Sequence, residues 1–311
     1  MFEFKTILEF TKKFGTEKQC EKFLIDKRFN GKVFCVYCNH NKVCKVADGR
    51  YKCSKCNNKF SIKVGTVFEG SKLGLDKWFL AIYFLTCSAN GISSNQLGKE
   101  LGISQKSAWF MLHRLREVLN GSQKKNMFGG TVEVDECYVG GLDSNKHKSK
   151  KFTSQKTAII GLVNRETKQA KAFKIDNADK ECLLPKIGGN VKEKSVVITD
   201  TYGVYKDLKN NFTHKTVKHL ASEYVKNELD IDGRVAFKVH TNTVEGFWSI
   251  VKRTVNGTHH WISKKHTNRY LNDMTFRYNK RELSSANKFD VFASSFDGRL
   301  KYVELTKNKR V

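Results

Sequence analysis

The spacing of apolar residues changes character along the chain, and the changes mark out its parts. Residues 75–88 are apolar almost all round, the pattern of a buried helix. Beyond them Leu97 and Leu101 share one short helix. Gly102 supplies a turn, Ser104 a helix N-cap, and Ala108, Leu112 and Leu115 recur at helical spacing. Helix, glycine turn and helix make a helix-turn-helix layout, whose second helix is expected to offer Gln105, Lys106, Ser107, Trp109 and Arg114 outward.

Asn120-Gly121 and the run Ser122–Asn126 end that helix, and strand patterns follow. Residues 131–141 (TVEVDECYVGG) alternate, residues 157–176 read as two strands joined by a turn near Arg165–Lys168, and residues 194–200 (KSVVITD) form an apolar run closed by an acid. Short helices are expected at 179–187 and 202–209, a strand at 215–219 and a final helix in HTNTVEGFWSIVKR, residues 240–253. That order predicts an α+β fold of the ribonuclease-H-like kind. The expected division is an N-terminal helix and metal ribbon (1–62), a helical helix-turn-helix domain (63–125) and an RNase-H-like domain (126–311).

Charge narrows the choice of partner. The chain has 311 residues with 57 Lys plus Arg against 31 Asp plus Glu, a formal net charge of +26 spread from end to end. A polyanion, nucleic acid first, is the expected partner, and this favours DNA contact by the helix-turn-helix. The most apolar run, residues 78–89, is shorter than the roughly 20 residues of a membrane span. The N-terminus alternates charged and aromatic residues rather than reading as a secretory signal. No membrane association is expected, and the compartment expected is the cytoplasm, near the nucleoid, or the nucleus in a eukaryote. In that setting nine cysteines suggest metal ligands before disulfides. Cys35 and Cys38 form one CxxC pair and Cys53 and Cys56 another, fourteen residues apart, with Asp48-Gly49 as a hairpin turn between them. Four thiolates so spaced suit a structural zinc ion, which would supply most of the folding energy of so small a ribbon. Cys44 is a weaker candidate ligand, and Cys20, Cys87, Cys137 and Cys182 read as small buried hydrophobes.

Carboxylates in apolar strands are costly unless paired or bound to a cation. Asp135 sits mid-strand in VEVDE and Asp200 ends VVITD; adjacent strands would bring them together. The competing readings are an exposed edge-strand position for Asp135 and a turn residue before Tyr202 for Asp200. Glu245 adds a third acid on a helix whose same face carries Asn242 one turn before and Lys252 two turns after. Three converging carboxylates suit two divalent ions, Mg²⁺ or Mn²⁺, poised for phosphoryl transfer, with Lys252 on the flanking phosphate. The alternative is a helix-surface salt bridge of Glu245, worth little.

These residues resemble the DDE transposases of the ISXO type, relatives of the eukaryotic Merlin transposases. The resemblance is carried by the two CxxC pairs, GTVFEGSKLGLDKWFLAIYFL, VEVDECYVGG, TDTYGVY, HTNTVEGFWSIVKR and WISKKHTNRYLNDMTFRYNKR. It covers nearly the whole chain and implies Asp135, Asp200 and Glu245 as an acidic triad. It also implies Mg²⁺ as cofactor, and DNA cleavage at transposon ends followed by strand transfer. Asn at the third position in some members brings Asn242 beside Glu245; the carboxylate is preferred because it neutralises metal charge. The loop after Gly141 is unusually short. The ribbon and helix-turn-helix would read the terminal inverted repeats, Arg253 would add a DNA contact, and residues 259–281 would pack on the catalytic domain and line the DNA path, or form a plain C-terminal helix with a solvated face. Synapsis of two ends implies a homodimer or larger assembly on DNA. The rival functions are a zinc-ribbon regulator without catalysis and an RNase-H-like nuclease without strand transfer.

Overall fold

The computed structural model describes residues 3–121, 126–140, 156–218, 225–294 and 296–307; Gly141, the loop after it and His219 lie outside them. The chain begins with helices α1 (Ile7–Phe14) and α2 (Glu17–Phe29), followed by strands β1 (Val43–Lys45), β2 (Tyr51–Cys53) and β3 (Lys59–Phe60). Helices α3 (Leu75–Cys87), α4 (Ser94–Leu101) and α5 (Gln105–Val118) come next. Strands β4 (Thr131–Val139), β5 (Thr157–Asn164) and β6 (Ala170–Lys174) precede helix α6 (Lys180–Gly188) and strands β7 (Val196–Asp200), β8 (Thr213–Val217), β9 (Lys226–Leu229) and β10 (Val235–Val239). Helices α7 (Asn242–Arg253), α8 (Thr267–Asn279), α9 (Ser285–Ala293) and α10 (Tyr302–Thr306) follow. They form two compact units, Met1–Leu119 with Glu282–Val311, and Asn120–Arg281.

The first unit is built on phenylalanine. Phe289 of α9 is fully buried, with its ring 5.3 Å from those of Phe10 and Phe14, 5.7 Å from Phe79 and 6.0 Å from Phe23. The sequence expectation groups residues 282–311 with the RNase-H-like segment; the described residues from Glu282 onward belong instead to the first unit, where this aromatic cluster holds α9 against α1, α2 and α3. The helices start where hydroxyl side chains can cap them: Thr6, Thr16, Ser93, Ser104 and Ser284 each accept a backbone N–H of the first turn. Between α4 and α5, Gly102 takes φ +59, a left-handed conformation that favours glycine and turns the chain in a tight corner.

The second unit centres on a five-stranded sheet of order β6-β5-β4-β7-β8. β4, β5 and β6 are antiparallel neighbours, whereas β7 runs parallel to β4 and β8 parallel to β7. β5 is buried along its whole length, so the sheet is covered on both faces. Val132 and Val134 of β4 face a core with α6 and the 3-10 helix Gly203–Asn210; Cys137 and Val139 face one with α7 and α8. α8 is buried over most of its length, which removes the solvated-face alternative for it. It also covers the β6 edge: Asn279 exchanges two hydrogen bonds with the Ala170 backbone, and Asn268 accepts the Lys174 N–H. The hairpin β9–β10 is absent from the sequence expectations; Asp232-Gly233 makes its turn, with Gly233 at φ +74.

Replacing Phe289 by Ala should lower the stability of the first unit by about 3–5 kcal/mol, measured by urea unfolding of the full chain. A loss below about 1 kcal/mol would contradict the role given to this ring.

Candidate active site and thiol cluster

On the α7 face of β4, alternation places Glu133 and Asp135 side by side. Glu133 is fully buried. Its carboxylate accepts the Thr243 and Val244 backbone N–H groups at 2.8 and 3.0 Å and the Thr243 hydroxyl at 2.8 Å. It therefore caps the N-terminus of α7 from a neighbouring strand, where the helix dipole favours an anion. Arg165, at the end of β5, balances the charge: its Nε donates to Glu133 at 2.6 Å, and its two terminal nitrogens donate to the Lys238 and His240 carbonyls at 2.7 Å. One ion pair thus fixes both the first turn of α7 and the chain leading into it. Sequence reading passed over Glu133 and Arg165, although the alternation in VEVDE already puts Glu133 on the face of Asp135.

One step along β4, Asp135 accepts the Trp248 indole N–H at 3.0 Å. β4 lies in the middle of the sheet, which excludes the edge-strand reading of Asp135. The β4–β7 ladder ends where Glu133 pairs with Ile198; alternation puts Asp135 and Asp200, two residues further on each strand, on the same face of the sheet, although Asp200 does not line the cavity that Asp135 shares with Glu245. Asp200 also accepts the Tyr202 N–H at 3.0 Å, so its role as a turn residue is present as well. Glu245, in the first turn of α7, accepts the Thr241 hydroxyl at 3.0 Å. Asp135, Glu245 and Lys252 line one open cavity of about 490 Å³, with Glu136, Tyr138 and Ser249. Asn242 is exposed at the start of α7 and does not line it.

The electrostatics follow from crowding acids midway along a central strand. Burial pushes the Asp135 carboxyl up to about 6; the charges of Asp200 and Glu245 add to the rise, and N–H donors from Glu136 and Trp248 oppose it. Glu136, on the opposite face, is pushed up to about 8 by burial and then by Asp135 and Asp200, and accepts the Tyr205 hydroxyl. Hard oxygen donors that repel one another are the donor set that Mg²⁺ or Mn²⁺ relieves. The three carboxylates are not a group with all donor atoms within 4.8 Å of one another; among the described residues only Cys35, Cys38, Cys53 and Cys56 are.

Those thiols sit on two matching knuckles, CVYCN and CSKCN. Asn39 and Asn57, each just after the second cysteine, take φ +56 and +58 and donate their N–H groups to Cys35 and Cys53 carbonyls. The loops so closed bring Cys35 to 3.6 Å from Cys56 and Cys38 to 3.7 Å from Cys53, sulfur to sulfur. Four soft donors at this separation fit a structural zinc ion. The apolar support is small, chiefly Phe60 with Val33, Val36, Val43 and Tyr51. Cys44 is exposed and outside the cluster. Cys20 and Cys137 are buried as expected, while Cys87 and Cys182 are half-buried.

In α5, Gln105, Lys106 and Ser107 are exposed at the first turn and Trp109 is half-buried. Arg114 corrects the sequence expectation, because it points inward. Its guanidinium lies over the Trp78 ring at 5.1 Å and donates to the Glu69 carbonyl at 2.6 Å, and burial pulls its pKa down to about 10. An arginine reads as a surface residue in sequence, yet here a carbonyl and an aromatic face satisfy it in the interior. Arg253 is exposed at the end of α7 and donates to the Ser249 carbonyl.

Comparison with known proteins adds to this geometry. Residues 127–279 match the ISXO2-like transposase domain and residues 15–59 the transposase zinc-ribbon domain. An uncharacterized protein in the transposable element ISH50 of Halobacterium salinarum is 27% identical over 285 residues, 86% of this chain and 92% of that protein. An uncharacterized transposase-like protein of Haemophilus influenzae is 30% identical over 115 residues, 36% of this chain and 81% of that protein.

Two outcomes follow from the site. Glu133→Ala leaves the half-buried Arg165 without its counter-charge and the first amides of α7 without their acceptor and should cost about 3–5 kcal/mol, read in urea unfolding; a loss within about 0.5 kcal/mol, as at an ordinary surface site, would refute the anchoring role. Purified protein should carry one zinc ion per chain by elemental analysis, and Cys38→Ser with Cys53→Ser should lose it; retention of zinc by that double variant would exclude the thiol cluster as its site.

Proposed function

The chain belongs to the ISXO2-like transposase family, and on that premise we propose that it is a DNA transposase. It binds the terminal inverted repeats of a mobile element, cuts the DNA there, and joins the freed 3′-hydroxyl to target DNA. The observation that supports this reading is one cavity lined by Asp135, Glu245 and Lys252, with the charge of Asp200 acting on Asp135. Asp135 lies midway along β4, Asp200 ends the parallel neighbour β7, and Glu245 stands on a helix tied to β4 through Glu133. The sheet order, with three antiparallel strands followed by two parallel ones, supports an RNase-H-like fold.

Asp135, Asp200 and Glu245 would hold Mg²⁺ or Mn²⁺, which when bound activates the attacking oxygen and stabilises the leaving one. The chain's own part is placement and charge. β4 and β7 fix the spacing of the two aspartates, and α7 presents Glu245 with Lys252 two turns on, where an ammonium group meets a phosphate flanking the scissile bond. Asn242 positions the helix start rather than the cation. Gln105, Lys106, Ser107 and Trp109 contact DNA from α5, and Arg253 contacts it from α7. The zinc ribbon adds a second end-binding element. Two chains, one per transposon end, make the working assembly, and the protein acts on DNA within the cell.

Full-length protein, labelled transposon-end DNA, Mg²⁺ and a target plasmid should yield joined products. Asp135→Ala, Asp200→Ala and Glu245→Ala should each reduce them by on the order of 10²–10³-fold, and Asn242→Ala by less than about tenfold. Hydrolysis without joining would identify a nuclease, and binding without cutting a regulator; either would sink the proposal.

A further inference from the structure

Trp248 connects the two elements that carry the acids. Its indole is almost fully buried, one turn beyond Glu245 on α7, and its Nε1–H reaches Asp135 Oδ2 at 3.0 Å. The slot that admits the ring exists because of one missing side chain. Gly161 pairs with Asp135 across the β4–β5 ladder, and a Cβ there would stand 2.5 Å from the Trp248 ring. Real Cβ atoms do not approach a rigid ring so closely. Gly161 has φ outside the left-handed region, so turn geometry does not call for glycine at this point; the indole does. Slot, donor and carboxylate are thus aligned by residues from β5, α7 and β4.

Resting on the reading of Asp135 as a metal ligand, we propose that Trp248 is a positioning residue for that ligand. By holding Oδ2, and with Gly161 making the room, it fixes the rotation of the Asp135 carboxylate so that a divalent cation meets an oriented donor. Phenylalanine removes the donor and part of the ring, so a packing role alone predicts lower stability with metal affinity unchanged, whereas the positioning role predicts weaker metal binding. The two roles therefore separate in one substitution.

The test compares the full-length wild-type chain with Trp248→Phe and Gly161→Ala. Mn²⁺ affinity is measured by calorimetry without DNA, and the Mg²⁺ dependence of end cleavage in parallel. Loss of a hydrogen bond that orients a metal ligand weakens metal binding by roughly tenfold or more. Trp248→Phe should raise the Mn²⁺ dissociation constant, and the Mg²⁺ midpoint for cleavage, by about that factor, with cleavage recovering at saturating metal. Gly161→Ala, which displaces the ring while keeping the donor, should shift both in the same direction. A folded Trp248→Phe chain with wild-type Mn²⁺ affinity would overturn the positioning role while leaving the transposase reading intact. Wild-type protein whose Mn²⁺ binding is unchanged by Asp135→Ala would overturn the ligand reading, and this proposal with it. If Trp248→Phe fails to fold, the wild-type indole N–H proton resonance decides: it should move when Mg²⁺ is added, and a resonance that stays in place overturns the proposal.

Discussion

The site depends on an ion pair that takes no part in its chemistry. Glu133 is drawn fully into the interior between sheet and helix with the half-buried Arg165 beside it, and the cost of removing the carboxylate from water is offset by the Arg165 guanidinium and by donors of α7 aimed at it. The donors are the first amides of α7, which a helix otherwise leaves unsatisfied. A charged strand residue and a helix end thus satisfy each other. The consequence is positional: this anchor and the Trp248–Asp135 hydrogen bond register α7 against β4, so Glu245 and Lys252 share a cavity with Asp135. Arg165 extends the same constraint to the end of β10 through the Lys238 and His240 carbonyls.

The two candidate metal centres are assembled by different means. Each thiol knuckle is closed by hydrogen bonds within five residues, with a left-handed asparagine ending it. Only the meeting of the two knuckles needs the hairpin of β1 and β2. The carboxylates come from β4, β7 and α7, and nothing local holds them together. Their relative placement is a product of the parallel β4–β7 ladder and of the contacts that seat α7. A ribbon with a handful of apolar residues can be organised by its ion, whereas the acids require a folded sheet beforehand.

That difference explains what could be read from the sequence. The CxxC pairs, the serine cap and glycine turn of α4–α5, and the acids set in apolar strands all declare themselves within a few residues. Trp248 and Asp135 are 113 positions apart, and no periodicity announces their hydrogen bond. Arg114 was misjudged for the same reason, since its partners, Trp78 and the Glu69 carbonyl, are distant in the chain. The return of residues 282–293 to the first unit rests on partners far away in the chain, the rings around Phe289 and the Lys27–Asp290 ion pair among them. The β9–β10 hairpin is a different case: Asp232-Gly233 was a legible turn, but the polar strands around it carry no strong alternation.

The stretch VEVDE shows how far such reading can go. Glu133, Asp135 and Glu136 look alike in sequence, as acids set among valines, and each breaks the rule that apolar strands exclude charge. Their surroundings sort them. Glu133 has a guanidinium and two helix amides, so the protein itself neutralises it. Asp135 and Glu136 have a few single donors and one another's charge, and both are pushed above the ordinary carboxylate range. A chain with a +26 surplus of positive charge could have supplied a lysine or arginine to each. Leaving the middle of the strand short of cations while compensating its neighbour two residues earlier is the arrangement expected where stability is yielded to function.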